Sequence, residues 1–262
     1  MVRKLQTEDL AWVSEHYSDS LAKLYALGSM EYSLVYEENH VVKDALLTAK
    51  SDFDGAKGVY IYSRQKDELQ NDLIQSNLLN ALEKDAATDD LSFIFTAYCD
   101  EELYKAAGFK AAFPMRKMKR NFKRNLWAVA DFDTITANKL PILREKYIKS
   151  AYASPLKGGY ASMMTGMYNK GAITAENYGA YAIMYRLETE LLITELYAKD
   201  DAAAMHLIEA AGDNYARETA TILLSCENEV FMGEGEKYHG GLIKTIGKCP
   251  NADLSYNGML IK

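Results

Sequence analysis

The order of hydrophobic and polar positions predicts a strand, a helix and a second strand within the first half of the chain. Residues 58–63, GVYIYS, alternate in the manner of a strand, and residues 74–86, IQSNLLNALEKDA, carry apolar side chains at helical spacing. Residues 91–99, LSFIFTAYC, form a second apolar strand-like run. A strand–helix–strand segment of this length implies that its two strands pair in parallel through a right-handed crossover.

Other predicted elements flank this core. The apolar spacing of residues 7–28 predicts one or two helices, and residues 32–50 form two strand-like runs around a polar turn, as in a hairpin. Residues 100–109 predict a short helix that opens with acidic side chains and is closed by Gly108. A further strand is predicted over residues 110–120.

The second half repeats the same order of elements. A hairpin over residues 178–198 is followed by a helix over residues 200–212 and a strand over residues 218–226. Residue identity between the halves is low, so they share a pattern without being proven duplicates. The remaining predictions for this half are a strand at 126–133, a helix at 136–152, a loop in the glycine- and methionine-rich residues 158–171, and short strands at 241–247 and 257–262.

These patterns together predict an α+β protein made of two tandem units. Each unit contains a mixed sheet with a strand–helix–strand core, and the predicted domains are residues 1–122 and 123–262. Six of the ten residues at 116–125 are basic, immediately before this boundary. We interpret them as a solvated strand edge leading into a linker rather than a polyanion contact, because no aromatic stacking platform is interleaved.

Composition and charge narrow the functional classes. The net charge is −7, which favours neither nucleic acid nor an anionic membrane as a partner. No apolar run is long enough to span a bilayer, and the N-terminus lacks the apolar segment of a signal peptide. Three well-separated cysteines indicate free thiols in a reducing compartment, so we expect a cytoplasmic protein. The four histidines show no paired metal spacing, and no metal is predicted.

The first half resembles the GNAT superfamily of N-acetyltransferases over roughly residues 3–120. The resemblance rests on the order helix, hairpin, strand, turn, helix and strand, and above all on residues 101–113, EELYKAAGFKAAF, which resemble the family's Leu-Tyr-x-x-x-Gly-Phe signature. The tandem arrangement resembles bacterial acetyltransferases with two GNAT-like units that are related to the enhanced intracellular survival protein. The resemblance implies transfer of an acetyl group from acetyl-CoA to a primary amine, with acetyl-CoA as cosubstrate and the second unit as one wall of the substrate cleft.

The resemblance also implies the site residues. In the family, the strand before the turn splays from the next strand and leaves backbone groups free for the pantetheine arm, and the turn binds the pyrophosphate at a helix N-terminus. A tyrosine on the following helix protonates the departing thiolate, and Tyr104 occupies that position. The implied cofactor-binding residues are Val59, Tyr60, Ile61, Tyr62, Ser63, Gln70, Asn71, Asp72, Leu73, Ile74 and Gln75.

The turn departs from the family pattern. Leu73 stands where the family has its first glycine, Gln75 replaces a small residue, and Asp72 adds a negative charge near the expected diphosphate. A second function is therefore weighed: a degenerate, non-catalytic GNAT scaffold that binds a ligand or a protein.

The expected acceptor is a small-molecule or peptide amine. A lining of acidic residues would suit a cationic amine, although such residues more often lie on an ordinary surface; they are Glu37, Glu38, Asp100, Glu101 and Glu102. Glu195 lies in an apolar strand, and we expect a buried, hydrogen-bonded carboxylate with a structural role. The sequence identifies neither the general base nor the oligomeric state.

Overall fold

The computed structural model describes residues 1–16, 31–64, 72–97, 101–124, 132–156, 158–177 and 179–259. The elements of the first half are β1 (Val2–Lys4), α1 (Leu10–His16), β2 (Leu34–Glu38), β3 (Val41–Phe53), β4 (Ala56–Arg64), α2 (Asp72–Thr88), β5 (Phe93–Thr96), α3 (Glu101–Ala106) and β6 (Lys110–Asn121). The elements of the second half are α4 (Lys139–Tyr147), β7 (Tyr152–Pro155), α5 (Gly159–Asn169), β8 (Ala172–Asn177), β9 (Ala180–Arg186), β10 (Leu191–Ala198), α6 (Asp201–Tyr215), β11 (Thr219–Ser225), β12 (Glu236–Thr245) and β13 (Tyr256–Asn257).

The two predicted hairpins and both parallel strand pairs are present. Strands β2 and β3 turn at Asn39 and His40, which have φ angles of 51° and 63°, as a two-residue hairpin turn requires. Strand β4 pairs in parallel with β5, and β10 pairs in parallel with β11. In each pair the intervening helix, α2 or α6, forms the crossover. The fold class, two mixed-sheet units with strand–helix–strand cores, is therefore confirmed.

One continuous sheet runs through both halves, in the order β1-β2-β3-β4-β5-β12-β6-β11-β10-β9-β8. Strand β12, from the end of the chain, lies between β5 and β6, and β6 lies between β12 and β11. Gly241 permits this close pairing, since a Cβ there would lie 2.5 Å from the carbonyl oxygen of Thr96. The sheet thus crosses the predicted boundary at residue 122, and the division into two domains stays a prediction.

The two faces of the sheet carry different cores. On one face a single cluster draws residues from both halves and from α1, α4 and α5. On the other face, α2 and α3 cover the first half, and α6 covers the second half. The face covered by α4 and α5 is therefore where the two halves share a hydrophobic core.

The predicted loop at residues 158–171 is wrong, because this segment contains helix α5. Its buried residues Tyr160, Met163, Met164 and Met167 follow the i, i+3, i+4, i+7 spacing of a helix face. The glycines in this segment suggested a loop, but burial of the tyrosine and methionines against the shared core favours the helix.

The basic segment at residues 116–125 agrees in part with the predicted solvated strand edge. Residues 118–121 of β6 pair with β11 but not with β12, and Lys117 and Lys119 are exposed. Arg116 differs, because it is paired on both sides and its buried guanidinium donates to the carbonyl oxygens of a nearby loop. Those carbonyls belong to Asn228, Val230, Phe231 and Glu234. Arg120 binds the carboxylate of Glu234, with an N–O distance of 2.6 Å. Intramolecular partners therefore take up part of this basic run.

Several sequence predictions fall wholly or partly outside the described residues. The predicted strand at 126–133 is described only at its end, where Asp133 forms a bridge with Glu176. The second part of the predicted N-terminal helical segment also lies outside the described residues. Strand β1 was not predicted. Among the described helices, none combines the length and apolar character needed to cross a bilayer.

Candidate functional site

The pairing of β4 with β5 ends before β4 does, and we call the place where it ends the cleft between β4 and β5. The two strands pair from Gly58 with Phe93 to Ile61 with Thr96, after which β4 continues and β5 ends. Strand β4 also bulges here: Ile61 pairs with Thr48 on β3 and Ser63 pairs with Leu47, which leaves Tyr62 as the extra residue. A bulge removes a residue from the backbone ladder. The backbone at Tyr62 therefore lies at the mouth of the cleft, outside both ladders.

The predicted cofactor residues on β4 contact the core with their side chains. Val59 and Ile61 pack on the α2 side, and Tyr60 and Tyr62 pack on the opposite side. All four are buried, so a ligand in the cleft would meet the backbone of this strand rather than these side chains. Ser63 is the fifth predicted residue and continues the strand.

The predicted pyrophosphate turn is described only from Asp72 onward, where α2 begins; Gln70 and Asn71 lie outside the described residues. Residues 72–75 form the first turn of α2, whose N–H groups have no acceptor within the helix and suit an anion. Leu73 is 68% exposed, and Ile74 is half-buried. The branched side chain of Leu73 therefore projects largely into solvent.

Gln75 points into the protein. Its side chain is buried, and its Nε2 donates to Oδ2 of Asp44 on β3 at 2.5 Å. Asp44 also accepts from the backbone N–H of Ala45 at 2.8 Å. The glutamine at this position therefore fastens the first turn of α2 to the sheet, and only its backbone is available to a ligand.

Tyr104 lies on α3, which follows β5. Its side chain is fully buried, including the hydroxyl oxygen, and its ring contacts Phe109 edge-on with centroids 5.1 Å apart. Gly108 ends the helix with a φ of 86°, and the Phe109 N–H donates to the Tyr104 carbonyl oxygen at 2.9 Å. The Leu-Tyr-x-x-x-Gly-Phe residues thus build a capped helix that holds the Tyr104 ring in the core beside α2.

A cavity of about 560 Å³ lies on the shared-core face of the sheet. It extends from Ala97, the residue after β5, across to the second half, so it begins beside the cleft between β4 and β5. Sequence reasoning missed it, although the methionines of the supposed loop at 158–171 were the available signal. Besides Ala97, its lining includes residues of the strands (Met115, Leu192, Thr194, Leu223), of α5 (Ser162, Met163, Met167) and of the chain end (Tyr256, Asn257, Met259).

The second half has a strand separation of the same kind. Strands β10 and β11 pair only over Leu191–Ile193, and Thr194 is an extra residue relative to β9. An extra residue reverses which side chains face each side. Leu192 and Thr194 accordingly line the cavity, and Glu195 turns to the shared-core face beyond the bulge.

The N-terminus of α6, the helix that follows this second strand separation, does not suit an anion. The carboxylate of Asp200 caps α6 by accepting from the Ala203 N–H at 2.7 Å, and Asp201 accepts from the Phe231 N–H at 2.8 Å. Two carboxylates at the N-terminus of α6 repel a phosphate. The second unit thus has the separated strands but not an open helix terminus.

Glu195 has the buried, hydrogen-bonded environment that its apolar strand predicted. Its two carboxylate oxygens accept from Nε and Nη2 of Arg144 at 3.0 and 2.7 Å. The hydroxyls of Tyr181 and Tyr256 donate to the same oxygens at 2.8 and 2.9 Å. Burial lowers the pKa of Arg144, but the charge of Glu195 and its hydrogen bonds raise that pKa more, so the guanidinium stays charged. These contacts join α4, β9, β10 and β13.

The acids considered for a cationic amine do not line this cavity where their side chains are described. Glu37 binds Nε of Arg3 at 2.7 Å near the β2–β3 turn, and neither it, Glu38 nor Glu102 lines the cavity. Asp100 lies outside the described residues, as does the side chain of Glu101. The charged or ionisable lining residues are instead Lys170, Arg186 and His239, together with tyrosines. Within the described ranges, no three His, Cys, Asp or Glu residues gather into a metal-binding group.

Comparisons with known proteins agree with this geometry at the level of fold. No protein-family model matches the chain, and no curated protein sequence matches it. A probable N-acyltransferase from Enterococcus faecalis V583 is similar in structure with a TM-score of 0.71 and 10% identity, over 94% of this chain and 73% of that one. Eis1 from Mycobacterium abscessus gives a TM-score of 0.61 and 9% identity, over 94% and 73%.

A tandem GNAT protein from the clavulanic acid biosynthesis pathway gives a TM-score of 0.52 and 11% identity, over 88% of each chain. At such low identities the likeness concerns fold alone. It extends over both halves and includes proteins described as N-acyltransferase, Eis and tandem GNAT. The chain therefore has the fold of tandem GNAT proteins.

Proposed function

We propose that this protein transfers the acetyl group of acetyl-CoA to a primary amine. The observation that carries the proposal is the bulge at Tyr62 beside the point where β4 and β5 separate, with the cavity beginning at Ala97 next to it. This arrangement places the bulged backbone of β4 beside an apolar chamber. Such a pair of features suits a long polar cosubstrate arm that presents a small acyl group to a second substrate.

The first unit is the proposed cosubstrate site. The pantetheine arm would bond the backbone around Tyr62 and Ser63, and the pyrophosphate would lie at the first turn of α2. Leu73 projects into solvent and Gln75 projects toward Asp44, so neither side chain needs to occupy the space above that turn. The N-terminus of α6 already holds Asp200 and Asp201. We therefore assign one acetyl-CoA to each chain.

The proposed reaction is a direct attack. A neutral amine forms the new C–N bond at the thioester carbonyl, the C–S bond breaks, the amine loses a proton and the thiolate gains one. We assign protonation of the thiolate to Tyr104, by the family resemblance and because α3 follows β5 at the cleft. The sulfur would have to reach this buried hydroxyl from the cleft between β4 and β5. The base that takes the amine proton is not assigned.

We also propose that the protein is cytoplasmic and that its partner is neither nucleic acid nor an anionic membrane. The described cysteines, Cys226 and Cys249, form no disulfide, which supports a reducing compartment and hence the cytoplasm. The net charge of −7 and the internal pairing of Arg116 and Arg120 support a partner other than nucleic acid or an anionic membrane.

The test is a transfer assay with purified protein, acetyl-CoA and a panel of primary amines. Release of the CoA thiol and a product heavier by one acetyl group are expected for at least one amine, and both should require the protein. Each amine is matched with its N,N-dimethyl form, which cannot give a neutral acetamide. Binding of acetyl-CoA without transfer to any amine would instead support the non-catalytic scaffold.

A further inference from the structure

The cavity beside the cleft has an apolar body. Four methionines line it, Met115 on β6, Met163 and Met167 on α5 and Met259 near the chain end, together with Leu192 and Leu223. Methionine side chains adapt to apolar ligands of varied shape because they are flexible and polarisable. A chamber of this kind favours an apolar acceptor over a sugar or a polyamine.

The charged rim of the same cavity has one sign. Lys170, at the end of α5, and Arg186, the last residue of β9, line it, and His239 lines it from β12. Among the described residues that line the cavity there is no aspartate and no glutamate. Two fixed positive charges at a partly apolar site attract a carboxylate and repel an ammonium group.

The cavity is also elongated across the sheet. Ala97 follows β5, and Arg186 ends β9, and five strand spacings separate these two strands in the sheet order. At about 4.8 Å for each spacing, the two ends are up to about 24 Å apart along the sheet. The positive rim at Lys170 and Arg186 therefore lies far from the cleft where acetyl transfer is proposed.

We propose that the acceptor is an elongated apolar amine that carries an anionic group at the end remote from its amine. This inference rests on the proposed function, because it identifies the acceptor of that site. The amine lies near Ala97, the apolar chain crosses the methionine-lined chamber, and the anion lies at Lys170 and Arg186. Two kinds of molecule share this chemistry, a short apolar peptide with a free C-terminal carboxylate and a long-chain ω-amino acid.

The experiment measures binding directly and does not depend on acetyl transfer. Four probes are titrated by calorimetry: a pentapeptide of Leu, Phe and Met with a free carboxylate, the same peptide as a C-terminal amide, 12-aminododecanoic acid, and spermidine. We expect at least one carboxylate probe to bind, about tenfold or more tighter than spermidine, with the peptide pair showing the same preference if peptides are the source. Raising the salt concentration should weaken this binding.

Two double variants test whether Lys170 and Arg186 cause the preference for a carboxylate. Lys170→Met with Arg186→Met should remove the preference for the carboxylate probe. Lys84→Met with Lys123→Met, exposed positions on α2 and just after β6, changes the net charge equally and should leave it intact. The inference is overturned if neither carboxylate probe binds, if spermidine binds at least as tightly, or if the rim variant keeps the preference.

Failure of this inference can be distinguished from failure of the proposed function. A carboxylate preference in a protein that acetylates nothing would remove the proposed function and leave the ligand class standing as a binding specificity. Acetyl transfer to amines without any such preference would retain the enzyme and remove this inference.

Discussion

Arg144 and Glu195 form an ion pair that is completely enclosed by the protein, with both side chains at 0% exposure. The pair joins α4 to β10, and Tyr181 and Tyr256 complete the hydrogen bonding of the carboxylate. It lies on the same face of the sheet as the cavity, among the residues that both halves contribute to one core. This ion pair and its two tyrosine hydrogen bonds therefore hold α4 and the end of the chain against the sheet of the second half.

Replacing only one partner of this pair should be strongly destabilising. Glu195→Leu leaves a buried guanidinium without its counter-charge, and the expected loss is about 3–5 kcal/mol in the free energy of unfolding. The double variant Arg144→Met/Glu195→Leu should recover much of that loss. Urea denaturation measures both. Glu229→Gln, which breaks an exposed pair with Lys149, is the control and should change little. Equal stability of Glu195→Leu and wild type would contradict the structural role.

Alkaline pH should unfold the protein through the tyrosines of this network. Burial, and secondly the charge of Glu195, raise the pKa of Tyr181, Tyr197 and Tyr256 well above the usual value of 10. Their contribution to stability is complete below pH 10 and is lost as the pH rises toward the folded-state pKa values, because only the unfolded chain ionises readily. Each group contributes a slope of about 1.4 kcal/mol per pH unit.

Tyrosinate absorbance followed together with circular dichroism checks this expectation. A group of tyrosines should ionise only as the secondary structure is lost, and Tyr181→Phe should make the pH dependence shallower. Ionisation of all tyrosines in a fully folded protein would contradict the assignment.

Two substitutions in the first turn of α2 should differ in their effects on stability. Gln75→Gly leaves the Asp44 carboxylate without its side-chain donor and should cost about 1.5–3 kcal/mol. Leu73→Gly changes an exposed side chain, so it should cost less, about 1 kcal/mol or below, and should leave acetyl-CoA binding nearly unchanged, because the leucine projects into solvent. Thermal unfolding and calorimetric titration are the measurements. If Leu73→Gly weakens binding, the leucine itself contacts the cosubstrate.

Tyr104→Phe should separate turnover from cosubstrate binding. The ring remains in its contact with Phe109, so the fold is retained, while the proposed proton donor is removed. Loss of a general acid lowers rates by about 10²- to 10⁴-fold. The loss should fall on kcat, with the acetyl-CoA dissociation constant nearly unchanged, because the hydroxyl acts mainly in the transition state. A Phe variant with full kcat would remove Tyr104 from the mechanism.

Local patterns were sufficient to predict most of the elements, because hairpin turns, amphipathic helices and buried strands depend on nearby residues. Asn39 and His40 predicted their turn, and the spacing of Leu78, Leu79 and Leu82 predicted α2. The same approach failed for α5, because glycines outweighed the buried methionine spacing in the prediction. The insertion of β12 between β5 and β6 depends on contacts more than 120 residues apart in the chain, and the sequence pattern carries no such information.

The candidate site was predictable only in part. The strand residues Val59 to Tyr62 and the helix bearing Tyr104 lie along the elements where the resemblance put them. The direction of Gln75 toward Asp44 depends on the packing of α2 against β3, and the cavity depends on several elements that are far apart in the second half. Its positive rim could not be foreseen either, because Lys170, Arg186 and His239 are distant in sequence and come together only in the folded sheet.

The central claim is that each chain binds one acetyl-CoA at the cleft between β4 and β5, and calorimetric titration with acetyl-CoA tests it most directly. We expect saturable binding of one molecule per chain. Leu73→Glu should weaken it by placing a negative charge at the first turn of α2, whereas Leu254→Glu, at another exposed leucine, should not. Absence of binding at millimolar concentration, two molecules per chain, or equal effects of the two variants would contradict the claim.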